Sequence, residues 1–200
     1  MTALALVVLG LAGGSETALS PQEKAIAEIR RLGGVVEFAE AGDGQPAIVT
    51  KVDLHGSKAT DADLVCLEGL TSLRTLDLRL TSIGDEGVAH LRRLTELRFL
   101  NLFRSQLSDA GLASLSGMKD LETLLIGGTK VTDSGLAQLK GFAKLRKLSL
   151  FDTQVGDAGL VHLMGLSRLE TLLIGMSKVT EAGTAALQKA NPHLRFGETT

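Results

Sequence analysis

Tryptophan and tyrosine are absent from this 200-residue chain, and six phenylalanines are its whole aromatic complement. Any aromatic on an exposed face is therefore more informative than usual. One cysteine, Cys66, excludes an intramolecular disulfide framework. The charge is nearly balanced, with 21 Lys and Arg against 23 Asp and Glu and both signs spread along the chain. That excludes the electrostatic footprint of a nucleic-acid or acidic-membrane binder. No Ser-His-Asp, metal-spaced or phosphate-loop pattern is present, so no catalytic residue, metal site or cofactor is assigned.

Long hydrophobic runs are also missing. The apolar stretch Met1–Gly14 is too short to span a bilayer as a helix. It has the length of an export signal's apolar region, although no cation precedes it, and residues 1–19 are read as a signal or unstructured segment. Leu11-Ala12-Gly13 resembles the start of a lipoprotein cleavage box, with Gly14 where the lipidated cysteine would stand. An exported location is favoured over a cytoplasmic one.

What the chain does have is a period. A pattern recurs with starts at Val49, Leu73, Leu97, Leu121, Leu145 and Leu169, always 24 residues apart. Repeats of this size mark a solenoid, in which each coil buries its apolar edge against its neighbours. Within a coil, positions 1, 4 and 6 are apolar, as at Leu97, Leu100 and Leu102, which predicts a strand with one face inward. Position 9 is always Ser or Thr, from Ser57 to Ser177, and position 11 is aliphatic apart from Ala59. A Thr, Ser or Gly followed by an acid, as in Thr132-Asp133, then supplies helix-capping chemistry. Positions 16, 19 and 22, such as Leu136, Leu139 and Phe142, have the spacing of a short helix's buried edge.

The ends differ from the middle. Ser20-Pro21-Gln22-Glu23 predicts a capped helix start, Gly33-Gly34 its end, Val35–Glu40 a strand and Ala41–Pro46 a turn, so residues 20–48 are read as a cap. Six coils fill residues 49–192. The last is degraded, with Thr184 and Ala190 at positions that are large and apolar elsewhere, and 193–200 carry a final short strand from His193 to Phe196.

The motif L-x-x-L-x-L-x-x-[TS]-x-[ILV]-x-D-x-G-L resembles the leucine-rich repeat. Asp109-Ala110-Gly111-Leu112 resembles the helix start of ribonuclease-inhibitor-like and bacterial copies. Position 9 departs from the family, which usually has Asn or Cys there. The resemblance covers Val49–Phe196 and implies an α/β fold: a right-handed solenoid with a parallel concave sheet, short outer helices and a helix-plus-hairpin cap. It implies binding in general and no particular partner; the preferred reading is a non-catalytic binding or scaffold module taking a protein or peptide, with a structural or self-associating repeat as the alternative and an enzyme or its subunit less favoured. For the enzyme reading, only Asp53, His55, Asp77 and Arg79 come close to converging.

Three features have plain structural readings. The acids at position 13, from Asp61 to Glu181, suit helix N-termini and do not converge as calcium requires. His90 and His162 share position 18 but stand about 14 Å apart by strand spacing, too far to share a metal. Cys66 holds the same outer position. All three side chains are expected to be ordinary surface residues.

Positions 3, 5 and 7 alternate onto the other face of the sheet. There the first two coils are charged and the last four largely apolar. Phe103 and Phe151 are expected about 9.6 Å apart by strand spacing, as the walls of a cleft floored by Gly127. The contiguous apolar set Phe99, Phe103, Leu125, Phe151 and Leu173, bordered by Arg79 and Arg104, has the composition of an interaction site. Part of this pattern is also repetition, because LETLLIG occurs at Leu121–Gly127 and again at Leu169–Gly175.

Overall fold

The computed structural model describes residues 19–39 and 47–197. The expected signal segment, from 1–14, and the expected turn at 41–46 lie outside them. Helix α1 (Pro21–Arg31) starts with the expected reciprocal cap: Glu23 N–H donates to Ser20 Oγ at 3.2 Å and Ser20 N–H to Glu23 Oε2 at 2.8 Å. Gly33, with φ of +82°, ends it in the left-handed conformation that glycine adopts freely.

Strand β1 (Val35–Phe38) runs antiparallel to β2 (Val49–Asp53). From there β3 (Thr75–Asp77), β4 (Phe99–Asn101), β5 (Thr123–Leu125), β6 (Lys147–Ser149), β7 (Thr171–Leu173) and β8 (Arg195–Gly197) pair in parallel. All eight lie in one open sheet in chain order. Lys51, Thr75, Phe99, Thr123, Lys147, Thr171 and Arg195 are successive register partners, so the 24-residue period of the chain is the register of the sheet. Strand β1 stops two residues before the expected Glu40, and β8 begins two residues after His193.

Each returning segment opens on an acid: a 3-10 turn at Asp61–Leu67, then α2 (Asp85–Ala89), α3 (Asp109–Ser114), α4 (Asp133–Leu136), α5 (Asp157–Leu160) and α6 (Glu181–Ala190). Helices this short do not persist alone, so packing holds them. Their inward residues meet the strands in one core: Leu76, Leu78, Ile83, Val88, Leu91 and Leu94 are fully buried, and the same positions repeat through the stack. The final coil is less filled, since Thr184 is only half-buried and Ala190 is exposed.

The row of acids has a role beyond the helix dipole. The Asp85 carboxylate accepts from Ser108 N–H at 2.8 Å, Asp109 from Thr132 N–H at 2.8 Å and Asp157 from Thr180 N–H at 2.8 Å, each partner lying in the next coil. Asp61 and Asp133 make the same tie to Gly84 and Gly156, both at 2.7 Å. Where the receiving residue has a hydroxyl, that hydroxyl donates to the second oxygen, as Thr132 Oγ1 does to Asp109 Oδ2 at 2.6 Å. The Thr180 hydroxyl and then its N–H hold the Asp157 carboxyl below its usual range. That tie is fully present above the ordinary carboxylate pKa and is lost as pH falls through the lowered one.

The ties also explain the glycine at position 15. A Cβ on Gly159 would stand 2.5 Å from Asp133 Oδ1 and 3.1 Å from Asp133 Cα, and Gly87 has the same conflict with Asp61. In the first coil Asp63 fills the slot: it accepts from Thr60 N–H at 2.8 Å and pairs with Arg31 of α1 at 3.1 Å. Two outer side chains are also less free than expected. His90 Nδ1 lies 2.6 Å from Glu68 Oε1 of the preceding coil. Cys66 packs partly buried against the core, where burial pushes its thiol up to about 11, so it is no reactive thiolate.

Two substitutions test the ties. Gly159→Ala improves helix propensity, yet it should destabilise by about 1–3 kcal/mol through overpacking. Combined with Asp133→Ala it should cost less than the sum of the two, and additive losses in urea unfolding would refute the contact. At Gly156 the backbone is extended and a Cβ meets nothing closer than 3.6 Å. Gly156→Thr should therefore gain a hydroxyl bond to Asp133 worth about 1 kcal/mol, read as a higher denaturation midpoint.

Candidate binding face

Strand alternation puts positions 3, 5 and 7 on the face away from the core, but the face is not evenly open. At position 5, Asp53 Oδ1 accepts from His55 N–H at 2.9 Å, Asp77 Oδ1 from Arg79 N–H at 3.0 Å, and Asn101 Oδ1 from Phe103 N–H at 3.1 Å. These three side chains fix the backbone that aims residues 55, 79 and 103. Asp53 Oδ1 also bonds His55 Nδ1 at 2.8 Å, Asp77 Oδ2 faces Arg79 Nε at 3.5 Å, and Asn101 Nδ2 donates to Asp77 Oδ2 at 3.3 Å. Burial pushes the Asp53 carboxyl up, but the N–H and then the ring of His55 outweigh it and hold the group below its usual range. The four titratable groups thus pair within coils on a solvated strand surface and do not converge in a closed cleft.

The expected aromatic cleft is closed. The Phe103 and Phe151 rings lie 6.4 Å apart, tilted by 42°, nearer than strand spacing alone gives. They lean together over Gly127, which is buried, and beside Ser149, whose hydroxyl is fully buried with no partner among the described residues. A Cβ on Gly127 would meet Phe151 O at 2.8 Å and the Phe103 ring at 3.1 Å. Position 127 is therefore glycine for packing, and a leucine there disrupts the face instead of merely filling a cleft. Leu173 is only 6% exposed, so it is not available as a contact residue. Phe99, Phe103, Leu125 and Phe151 remain half-exposed.

Open space lies instead on the N-terminal side of Phe103. A depression of about 490 Å³ is lined by His55, Arg79, Leu80, Asn101, Phe103 and Leu125. It joins His55 and Arg79 of the first two coils to the apolar side chains of the third and fourth. Arg104 borders it, its guanidinium carbon 5.3 Å from the Phe103 ring centroid.

His55, Leu80 and Asn101 were outside the expected set. Leu80 belongs to a row at position 8 in which every residue has positive φ: Gly56, Leu80, Arg104, Gly128, Asp152 and Met176, between +53° and +66°. Each of the first five donates its N–H to the position-7 carbonyl of the next coil, as Leu80 does to Phe103 O at 2.8 Å. The ladder thus imposes the left-handed turn on whatever residue is present. The two glycines in that row were the signal available in the sequence. Position 9 completes the corner: Thr81, Thr129, Thr153 and Ser177 each donate a hydroxyl to the carbonyl three residues back, at 2.6–2.7 Å.

Parallel strands in 24-residue register, short helices on one side and a core of stacked leucines decide the family. The chain is a leucine-rich repeat protein. The family model described as Leucine Rich repeat matches residues 69–91 and 143–164, one copy in the second coil and one in the fifth. Two solved Listeria monocytogenes structures share the fold. An internalin, product of inlF, aligns with a TM-score of 0.57 at 18% identity, over 90% of this chain and 58% of its own. Internalin C2 aligns with a TM-score of 0.54 at 20% identity, over 86% of this chain and 80% of its own. The chain thus spans little more than half the length of the first. No curated protein matches it in sequence. No helix among the described residues is long and apolar enough to cross a membrane, and no group of three metal-ligating side chains gathers among them.

Left-handed backbone costs a residue with a side chain about 1–2 kcal/mol relative to its relaxed alternative. Met176 bears that cost while 73% exposed, so packing returns little. Met176→Gly should therefore raise stability by about 1 kcal/mol in chemical denaturation, and a loss would mean that Met176 packs against something the repeat requires.

Proposed function

We propose that the chain is a non-catalytic protein- or peptide-binding module whose partner lies on the sheet face of coils one to four, with Leu80, Phe99, Phe103 and Leu125 as apolar contacts and Arg79 and Arg104 as flanking cations. Leucine-rich repeat proteins bind other proteins as a class, which sets the kind of partner. The observation that carries the location is the depression at His55, Arg79, Leu80, Asn101, Phe103 and Leu125, since small-ligand and side-chain sites are concave, largely apolar and furnished with a few fixed polar groups.

Leu80 adds weight. It is 51% exposed and lines the depression, so a partner seated there covers apolar surface that the free chain leaves open. Phe151 and Gly127 support Phe103 from behind in this reading and do not touch the partner.

The test is capture of a partner by the immobilised chain, followed by affinity measurement on variants. Leu80→Asn suits the left-handed backbone, so it should keep stability while weakening binding about tenfold or more, and Phe103→Ala more strongly still. His162→Ala on the outer helices should change nothing. Binding that survives both face variants and fails with His162→Ala would place the site on the opposite surface.

A further inference from the structure

The depression also indicates which part of a partner it receives; the argument rests on the peptide-binding reading above. Its charges are not presented equally. The acids are sunken and committed: Asp77, with 13% of its side chain exposed, accepts from Arg79 N–H through Oδ1 and faces Asn101 Nδ2 and Arg79 Nε through Oδ2. Asp53, 28% exposed, spends Oδ1 on both the N–H and the ring of His55. The Arg79 guanidinium and the His55 ring stand out from them, their side chains 45% and 51% exposed. Asp77 approaches Arg79 at Nε, 3.5 Å away, and the terminal guanidinium nitrogens make no hydrogen bond among the described residues, which leaves them as a two-pronged donor on the wall of the depression. A ligand entering here meets donors and apolar carbon.

The spacing narrows the choice further. Arg79 and Phe103 hold the same position in adjacent coils, about 4.8 Å apart by strand spacing. A carboxylate and an apolar side chain that branch from one Cα reach both together. An internal Asp or Glu in an extended peptide has its same-face neighbour two residues away, roughly 7 Å. We infer that the depression binds the C-terminal residue of a peptide ending in an aliphatic side chain, the α-carboxylate on the Arg79 fork beside His55 and the side chain among Leu80, Phe103 and Leu125.

The experiment uses the full chain, isotope-labelled for amide NMR, and three small probes: N-acetyl-L-leucine, its C-terminal amide, and N-acetyl-L-aspartate with its α-carboxyl amidated. The free acid should shift the amides of residues 55, 79 and 103 and bind about tenfold more tightly than the amide, the loss expected for a charge-assisted pair. Arg79→Gln should bring the acid down to the level of the amide without moving the thermal midpoint, and Leu125→Ala should weaken both. Equal binding of acid and amide would overturn the carboxylate assignment while leaving a peptide-binding face. Binding of the aspartate probe as tightly as the leucine acid would assign the carboxylate to a side chain and overturn the terminal-residue assignment. Absence of shifts at these residues with every probe would overturn the inference, and captured-partner affinities would then decide the broader reading separately.

Discussion

The stack depends on a carboxylate that each coil lends to the next. A parallel sheet ties neighbouring coils along one side only, and the short return segments have too few turns to hold themselves. The aspartate at position 13 supplies a bond on the other side, reaching from Asp61, Asp85, Asp109, Asp133 and Asp157 to the N–H of the residue just before the next coil's helix. One side chain thereby anchors the start of a neighbour's helix and sets the distance between coils. The glycine at position 15 of the next coil gives it room, as Gly159 does for Asp133, so aspartate and glycine form one device.

The sheet side is governed by a second constraint, the left-handed turn at position 8. Extending the ladder by one bond beyond each strand forces that conformation, and the position-9 hydroxyl then closes the corner onto the carbonyl three residues back. The strain is tolerated because it is over-determined by bonds on both sides. It also places Leu80 and Arg104 at the border of the sheet face, beside the depression. Repetition of the backbone therefore creates a row of projecting side chains whose chemistry is free to differ from coil to coil, which is what a binding surface on a repeat scaffold needs.

On the face itself, position 5 divides the molecule. Where it is Asp53, Asp77 or Asn101 it bonds the amide two residues on and keeps position 7 upright. Where it is Leu125, Ser149 or Leu173 that bond is missing among the described residues, and Phe151 of coil five meets the Phe103 ring across Gly127. Polar, donor-lined space is left in the first coils, with a closed apolar patch behind it.

The periodic positions were legible in the sequence because their physics is local and repeated. A 24-residue spacing of leucines fixes strand, return helix, register and core; the capping box at Ser20 fixes the first helix; and a glycine stands at position 15 in five of the six coils. What met that glycine was not legible, since an acid at a helix start is already explained by the dipole, and only the stacking shows it spanning two coils. The candidate face was half legible. Alternation placed Arg79, Phe99, Phe103 and Leu125 there correctly. The tilt of two rings, the burial of Leu173 and Gly127, and the depression beside His55 and Leu80 depend on side-chain rotation and on contacts between residues 24 or 48 apart. Those are settled by tertiary packing, because several rotamers suit each strand position alone and only neighbouring coils choose among them.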